Sequence, residues 1–247
     1  MSRHVELLRR ARQDGDLFER PPVGAVVEQN AAPRPGWFGP TSNDYWQHLV
    51  QELFVRPDPA GSGAVGMASA TAGEGTSFVA AHLAAELART LEQPTLLLEA
   101  NVFRPAQAGR HGVEPDPGLR RLLAEREFPL DLALRQTGIE NLWLLPGGAS
   151  GFFGAAPDWT GFPRLLARLR ERFTALVIDL PPVNLSTDAM LLGAWLDALV
   201  LVVEADLCSR EVVHSAEERL RRANPNFVGT VMNKRKFVIP EAIYRRI

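Results

Sequence analysis

The sequence predicts a doubly wound α/β domain built on a mostly parallel sheet. Short apolar runs of strand length alternate with helical segments from residue 64 onward, which implies right-handed crossovers between parallel strands. Most of these runs are apolar throughout rather than alternating, as expected of strands that are covered on both faces. A glycine-rich segment also joins the first run to the first long helical stretch, which is where such sheets bind ligands.

The elements follow one another in a regular order. Residues 1–40 are predicted to be an N-terminal extension and linker, because proline and glycine interrupt any regular structure in most of that stretch. The α/β domain is predicted over 41–247, and it opens with a helix over 43–54. The predicted strands are 64–69, 95–99, 141–145, 175–179, 198–203 and 228–232. The clearest helical stretches between them are Ser77 to Leu91, Phe162 to Arg172 and Ser209 to Ala223.

The composition suits one large domain. Of the 247 residues 46% are hydrophobic, enough for a sizeable core, and the net charge of −2 does not suggest a nucleic-acid partner. The segment 209–247 differs, with nine Lys or Arg against four Glu. This charge is typical either of a solvated helix face with a tail, or of a surface that meets acidic lipid or an acidic partner.

The chain carries no pattern of a secreted or membrane-spanning protein. Cys208 is the single cysteine, so no intrachain disulfide can form, which fits a reducing cytoplasm. The longest uncharged apolar run, Ala189 to Leu196, is far shorter than the ~20 residues that span a bilayer. We therefore expect a cytoplasmic protein that reaches the inner membrane only through a partner or a surface.

The segment 147–161 is unusually rich in both glycine and aromatic residues. Its aromatic side chains either fold back on the core or form an exposed contact loop. In the second case the partner contacts would be Phe152, Phe153 and Trp159, together with Arg235 of the basic C-terminal stretch.

The segment 68–77, Ala-Ser-Ala-Thr-Ala-Gly-Glu-Gly-Thr-Ser, has the layout of a phosphate-binding loop. Its glycines allow successive backbone N–H groups to turn toward an anion at the start of a helix. Thr76 stands where a working loop needs lysine. A charge-assisted hydrogen bond contributes roughly 1.5–3 kcal/mol, so its absence would weaken ATP binding by about 10- to 100-fold. Taken alone, the pattern also fits a tight turn that binds nothing.

Three further motifs follow in order. Glu99, Asn101 and Arg104 lie in Leu-Leu-Leu-Glu-Ala-Asn-Val-Phe-Arg-Pro, after the second strand. Asp179 lies in Leu-Val-Ile-Asp-Leu-Pro-Pro, after the fourth, and Asn233 follows the last. In this order the motifs resemble those of the bacterial tyrosine kinases, relatives of the deviant Walker A ATPases, over about four-fifths of the chain. The resemblance implies a sheet of the P-loop NTPase type.

The resemblance also assigns roles to residues. It implies that nucleotide or phosphate would contact a set of residues around the loop: Gly73, Glu74, Gly75, Thr76, Ser77 and Asn233. Ser77 and Asp179 are the oxygen ligands left for magnesium, although an aspartate at a strand end also serves as a cap or turn residue. Glu99 is explained in one of two ways: a carboxylate in the cleft does no harm, or this carboxylate pairs with Arg104.

The departures from the family pattern are equally informative. The lysine of the loop is Thr76, and the two aspartates of the second motif are Glu99 and Asn101. Two arginines that ring-forming members carry before the first strand are replaced by Gln47 and Val50. The terminal tyrosine cluster is missing, because the chain has two tyrosines, Tyr45 and Tyr244. Its five histidines lack metal-ligand spacing, and His82 is expected to be structural.

These observations predict a non-catalytic, pseudokinase-like regulator or assembly partner in exopolysaccharide biosynthesis or export. The resemblance implies docking on the cytoplasmic segment of a membrane polysaccharide co-polymerase, as a monomer or small oligomer. No cofactor is expected to be required, and ATP or ADP with magnesium is expected to bind weakly at most. Two alternatives stay open: a weak ATPase or kinase in which Arg104 or a neighbouring subunit's arginine replaces the lysine, and a nucleotide-sensing switch.

Overall fold

The computed structural model describes residues 43–54, 63–149, 157–205 and 207–234. Its centre is a sheet of seven strands: β1 Ala64–Ser69, β2 Thr95–Glu99, β3 Arg135–Gln136, β4 Leu142–Leu145, β5 Ala175–Asp179, β6 Ala198–Glu204 and β7 Phe227–Asn233. The strand order is β3-β4-β2-β5-β1-β6-β7. All neighbours pair in parallel except β3 and β4, which are antiparallel.

Helices cover both faces of this sheet. The described helices are α1 Asn43–Phe54, α2 Thr76–Leu91, α3 Gln107–His111, α4 Leu119–Ala124, α5 Leu130–Ala133, α6 Phe162–Arg170, α7 Asp188–Gly193 and α8 Arg210–Ala223. A short 3-10 turn, Trp159–Gly161, precedes α6. No helix within the described ranges is both long and apolar enough to cross a membrane.

The core consists of two apolar layers, one on each face of the sheet. One layer holds α6, α7 and α8, with Phe162 and Leu220 among its buried side chains. The other holds α1 and α2, with Val50 and Leu83 buried. Every residue of β1, β2 and β5 is buried, which is why these strands are mostly apolar instead of alternating.

The structure confirms the predicted fold class and, closely, the position of each predicted strand. The two-residue strand β3 was not predicted, because two residues are too short to produce a pattern. The linker prediction for 1–40 lies outside the described residues. The direction of the sheet then determines the site, because the carboxyl ends of its parallel strands meet at one edge.

Candidate functional site

The site is a cleft at the carboxyl edge of the sheet. A cavity of about 690 Å³ opens there beside the glycine-rich loop, in the range typical of small-molecule sites. Its walls come from the loop, the segments after β2 and β5, and the end of β7. Among the described residues that line it are three basic side chains and no acidic one; the basic residues are Arg104, Arg110 and Lys234.

The loop has the predicted phosphate-loop turn. Gly73 and Gly75 adopt φ angles of 94° and 89°, a left-handed region that glycine enters without strain, and α2 begins directly after them at Thr76. Glu74 is fully buried between them. Its carboxylate accepts hydrogen bonds from the amide and hydroxyl of Thr71 and from the amide of Glu204, so its side chain serves the loop's structure.

The end of β7 clamps the loop. Nδ2 of Asn233 donates to the carbonyl of Glu74 at 2.9 Å, and Nζ of Lys234 donates to the carbonyl of Gly73 at 3.0 Å. The same ammonium pairs with Oε2 of Glu204 at 2.7 Å. Asn233 therefore lies beside the loop as the resemblance implied, and its side-chain amide is bonded to the loop itself.

Thr76 opens the helix at the position where the family pattern has lysine. Its side chain is only 7% exposed and lines the cavity, yet Oγ1 has no hydrogen-bond partner among the described residues. Ser77 lines the cavity next to it. This part of the loop thus carries an unsatisfied hydroxyl at the N-terminus of a 16-residue helix, where anions are favoured.

Glu99 is engaged by the backbone, not by Arg104. Its Oε1 accepts hydrogen bonds from the amides of Ala106 and Gln107, and its Oε2 accepts one from the amide of Gly147 at 2.9 Å. The carboxylate thereby ties the segment after β2 to the segment after β4. The suggested Glu99–Arg104 pair does not form, because both carboxylate oxygens face these amides.

Asp179 is engaged by a side-chain amide. Nε2 of Gln107 donates to its Oδ2 at 2.7 Å and also to the carbonyl of Ser77 at 2.9 Å. Gln107 is itself buried at the start of α3. A single amide therefore links the remaining aspartate of the cleft to the phosphate loop.

Burial controls the ionisation of both carboxylates. It raises the pKa of Asp179 to about 7, and the nearby Glu99 acts in the same direction, against weaker lowering by Ser77, Gln107 and Arg110. Burial also raises the pKa of Glu99, while its hydrogen bonds to the amides of Gly147, Gln107 and Ala106 lower it. The pKa of Asp179 places its ionisation in the physiological range.

The other predicted residues divide into three groups. Asn101 and Arg104 line the cavity, as expected. The alternative in which Trp159 contacts a partner is wrong, since its side chain is only 7% exposed and packs edge-on against Phe162 in the core. Phe152, Phe153 and Arg235 lie outside the described residues.

Sequence reasoning did not identify three residues of the site. Gln107 and Arg110 lie on α3, a five-residue helix that carried no motif, and Lys234 directly follows Asn233. Of these, Lys234 had a usable signal, because it follows a strand that ends at the ligand edge of the sheet.

The cleft has several features that suit a phosphate anion. The helix start, Thr76 and the basic lining fit an anion. At Asp179, the amide of Gln107 already contacts Oδ2, so a cation could bind only Oδ1 without displacing Gln107. No group of three or more His, Cys, Asp or Glu side chains in the described parts could hold a metal ion.

The fold and the loop define the class as a P-loop NTPase-like α/β protein. No family model matches the chain. It is 27% identical over 169 residues to the tyrosine-protein kinase CpsD of Streptococcus agalactiae, covering 66% of this chain and 71% of that protein. It is 28% identical over 175 residues to the succinoglycan biosynthesis transport protein ExoP of Rhizobium meliloti, covering 69% of this chain and 22% of ExoP.

A solved structure supports the fold independently. The kinase domain of the Escherichia coli tyrosine kinase ETK superposes with a TM-score of 0.71 at 20% identity, over 97% of this chain and 91% of that one. The homologues of this chain are thus bacterial tyrosine kinases and proteins of exopolysaccharide synthesis. This confirms the family resemblance inferred from the motifs.

Proposed function

We propose that this chain is a non-catalytic, pseudokinase-like partner in bacterial exopolysaccharide biosynthesis or export. One observation carries the proposal: the chain's own donors engage both carboxylates at the base of the cleft. Three backbone amides bind Glu99, and Gln107 binds Asp179. Both oxygens of Glu99 and Oδ2 of Asp179 are therefore engaged, which leaves only Oδ1 of Asp179 to hold a metal or to accept a substrate proton without breaking these bonds.

The loop supports the same proposal. Phosphoryl transfer depends on cations that neutralise charge developing on the transferred group. Thr76 supplies none at the lysine position, and Asn101 offers no carboxylate to hold magnesium where the family has an aspartate. The loss of these charges impairs the transition state at least as much as nucleotide binding.

A role in polysaccharide synthesis is supported by the homologues. ExoP carries the matching segment as about a fifth of a much longer transport protein. By analogy, this chain would act beside the cytoplasmic segment of a membrane polysaccharide co-polymerase, at the inner face of the membrane. The domain would then contribute binding rather than phosphotransfer.

We further propose a monomer or small oligomer in place of a closed ring. Of the two positions where ring-forming kinases carry arginine, Gln47 is exposed but uncharged. Val50 is 1% exposed and packs in the core beneath α1, so it faces the domain's own interior. Light scattering that revealed a stable octamer would contradict this proposal.

Enzyme assays on the full chain test the non-catalytic role. ATP hydrolysis and autophosphorylation with magnesium should equal those of a Thr76→Ala/Asp179→Ala double variant prepared in parallel. Turnover clearly above that background would overturn the proposal and favour the weak kinase alternative.

A further inference from the structure

The side chain of Lys234 contacts the phosphate loop, although Lys234 and Gly73 are more than 150 residues apart in sequence. It follows β7 with a left-handed φ of 54°, which turns the chain at the end of the strand. Its ammonium lies 3.0 Å from the carbonyl of Gly73. Its Cε lies 3.8 Å from the point where a Cβ on Gly75 would be, and its side chain lines the cavity.

Within the described parts of the chain, this ammonium has acceptors for two of its donors. A lysine has three N–H donors, and the carbonyl of Gly73 and the carboxylate of Glu204 account for two of them. The third donor has no acceptor among the described residues, so it is the one that a ligand in the cleft would use.

The cavity around it is built for an anion. Arg104 and Arg110 line it along with Lys234, whereas the nearby carboxylates of Glu74, Glu99 and Asp179 are buried and are not among its lining residues. Thr76 adds a hydroxyl that is more than nine-tenths buried and has no partner in the described chain. A phosphate oxygen would satisfy this hydroxyl and the amides at the start of α2 together.

We propose that the cleft binds the phosphate of a nucleoside diphosphate, and that Lys234 supplies the positive charge that residue 76 lacks. The inference rests on the proposed non-catalytic function and adds a ligand to it. Lys234 reaches the phosphate from the end of β7 instead of from the loop. The bound phosphate would not react, because Glu99 and Asp179 are engaged by the protein's own donors. The cavity volume of about 690 Å³ suits a nucleotide better than a free phosphate ion.

The test is a chemical-shift titration of the full chain by NMR, with ADP and inorganic phosphate as separate probes. We expect ADP to bind with a dissociation constant of about 1 mM and phosphate to bind more weakly. Lys234→Gln should weaken ADP binding by about 10-fold, whereas Lys234→Arg should keep it within about 3-fold. Arg222→Gln, which removes an exposed charge on α8 outside the cleft, is the matched control and should change nothing.

Three further measurements keep the result interpretable. Loss of the contacts to Gly73 and Glu204 could disturb the loop, so the melting temperature of each variant is recorded. Thr76→Val keeps the shape of the side chain and removes its hydroxyl, and it should weaken ADP binding several-fold with Lys234 intact. A lower salt dependence in Lys234→Gln than in the native chain would indicate a lost ionic contact.

The outcomes separate this inference from the proposed function. Equal affinity of the native chain and Lys234→Gln would overturn the role of Lys234, as would the failure of both probes to bind the native chain. Equal binding of phosphate and ADP would overturn the nucleotide assignment. ATP turnover would instead refute the non-catalytic role and leave lysine-dependent binding standing.

Discussion

Gln107 and Asp179, 72 residues apart in sequence, meet through a 2.7 Å hydrogen bond from amide Nε2 to carboxylate Oδ2 at the base of the cleft. Both side chains are buried, and the same amide reaches the carbonyl of Ser77. Because a buried acceptor is costly when it loses its donor, this contact links the stability of the cleft to a residue outside every motif.

Removing the amide of Gln107 should destabilise the protein. We expect Gln107→Ala to lower the free energy of unfolding by about 1–3 kcal/mol, since it leaves the buried carboxyl of Asp179 without this donor. Gln136→Ala, at an exposed glutamine of β3, serves as the control and should change stability by less than about 0.5 kcal/mol. Urea denaturation measures both, and equal midpoints would show that the contact contributes nothing.

The raised pKa of Asp179 should make stability depend on pH. The folded-state pKa of about 7 exceeds the ordinary value of 3.8, so the folded protein retains a proton that the unfolded chain releases. This group's contribution is therefore complete below about pH 4 and is lost as pH rises to about 7. The loss is at most about 1.4 kcal/mol per pH unit.

Asp179→Asn isolates this effect, because asparagine keeps an oxygen for Gln107 but does not ionise. Its melting temperature relative to the native chain should increase steadily between pH 5 and 7, by about 3–6 °C per pH unit at most. His111 works in the opposite direction, since burial lowers its pKa to about 4, but it is present in both proteins and cancels in the difference. A difference independent of pH would refute the raised pKa.

The sequence was sufficient to predict six of the seven strands, because each of these six has a local pattern of its own. The run 95–99 has three leucines between Thr95 and Glu99 and is fully buried in the structure, so the pattern and the environment agree. The turn of the loop was equally predictable, because Gly73 and Gly75 adopt the left-handed angles that such a turn requires. Strand β3 was not, because two residues carry no periodicity.

The partners inside the site could not be predicted in the same way. Sequence analysis identified Glu99 and Asp179, but the donors that engage them come from amides and from Gln107, which had no pattern of its own. Their meeting depends on the order of the strands, with β2 beside β5, and on the path of α3. Local patterns do not contain that information.

Gly75 should be intolerant of any side chain, and Gly73 offers a matched control. Both have left-handed φ angles, but a Cβ on Gly75 would lie 2.1 Å from Nδ2 of Asn233, whereas one on Gly73 has nothing within 4 Å. Gly73→Ala should therefore cost about 1 kcal/mol of strain, and Gly75→Ala about 1–3 kcal/mol more.

A double variant tests the cause of that difference. Adding Asn233→Ala to Gly75→Ala removes the clashing amide and should recover part of the lost stability, as measured by thermal unfolding in a double-mutant cycle. If the two substitutions are simply additive, contact with Asn233 is not what makes Gly75→Ala the worse of the two.

Trp159 should act as a core residue. It is 7% exposed and packs on Phe162, so Trp159→Ala should cost about 3–5 kcal/mol. Trp195, which is 53% exposed, provides the matched control, and Trp195→Ala should cost far less. If Trp159→Ala and Trp195→Ala lower the melting temperature by similarly small amounts, Trp159 is a surface contact and not a core residue.

Restoring the lysine of the loop should restore binding but not catalysis. Thr76→Lys places an ammonium at the helix start beside the cavity, and it should strengthen ATP binding by about 10-fold or more, relative to the uncharged control Thr76→Met. Turnover should remain at background in both variants, because Gln107 still engages Asp179, the backbone still engages Glu99, and Asn101 supplies no carboxylate. Titration and ATPase assays on the same preparations separate the two effects. Hydrolysis in Thr76→Lys alone would mean that lysine was the only missing part and that the carboxylates are competent after all.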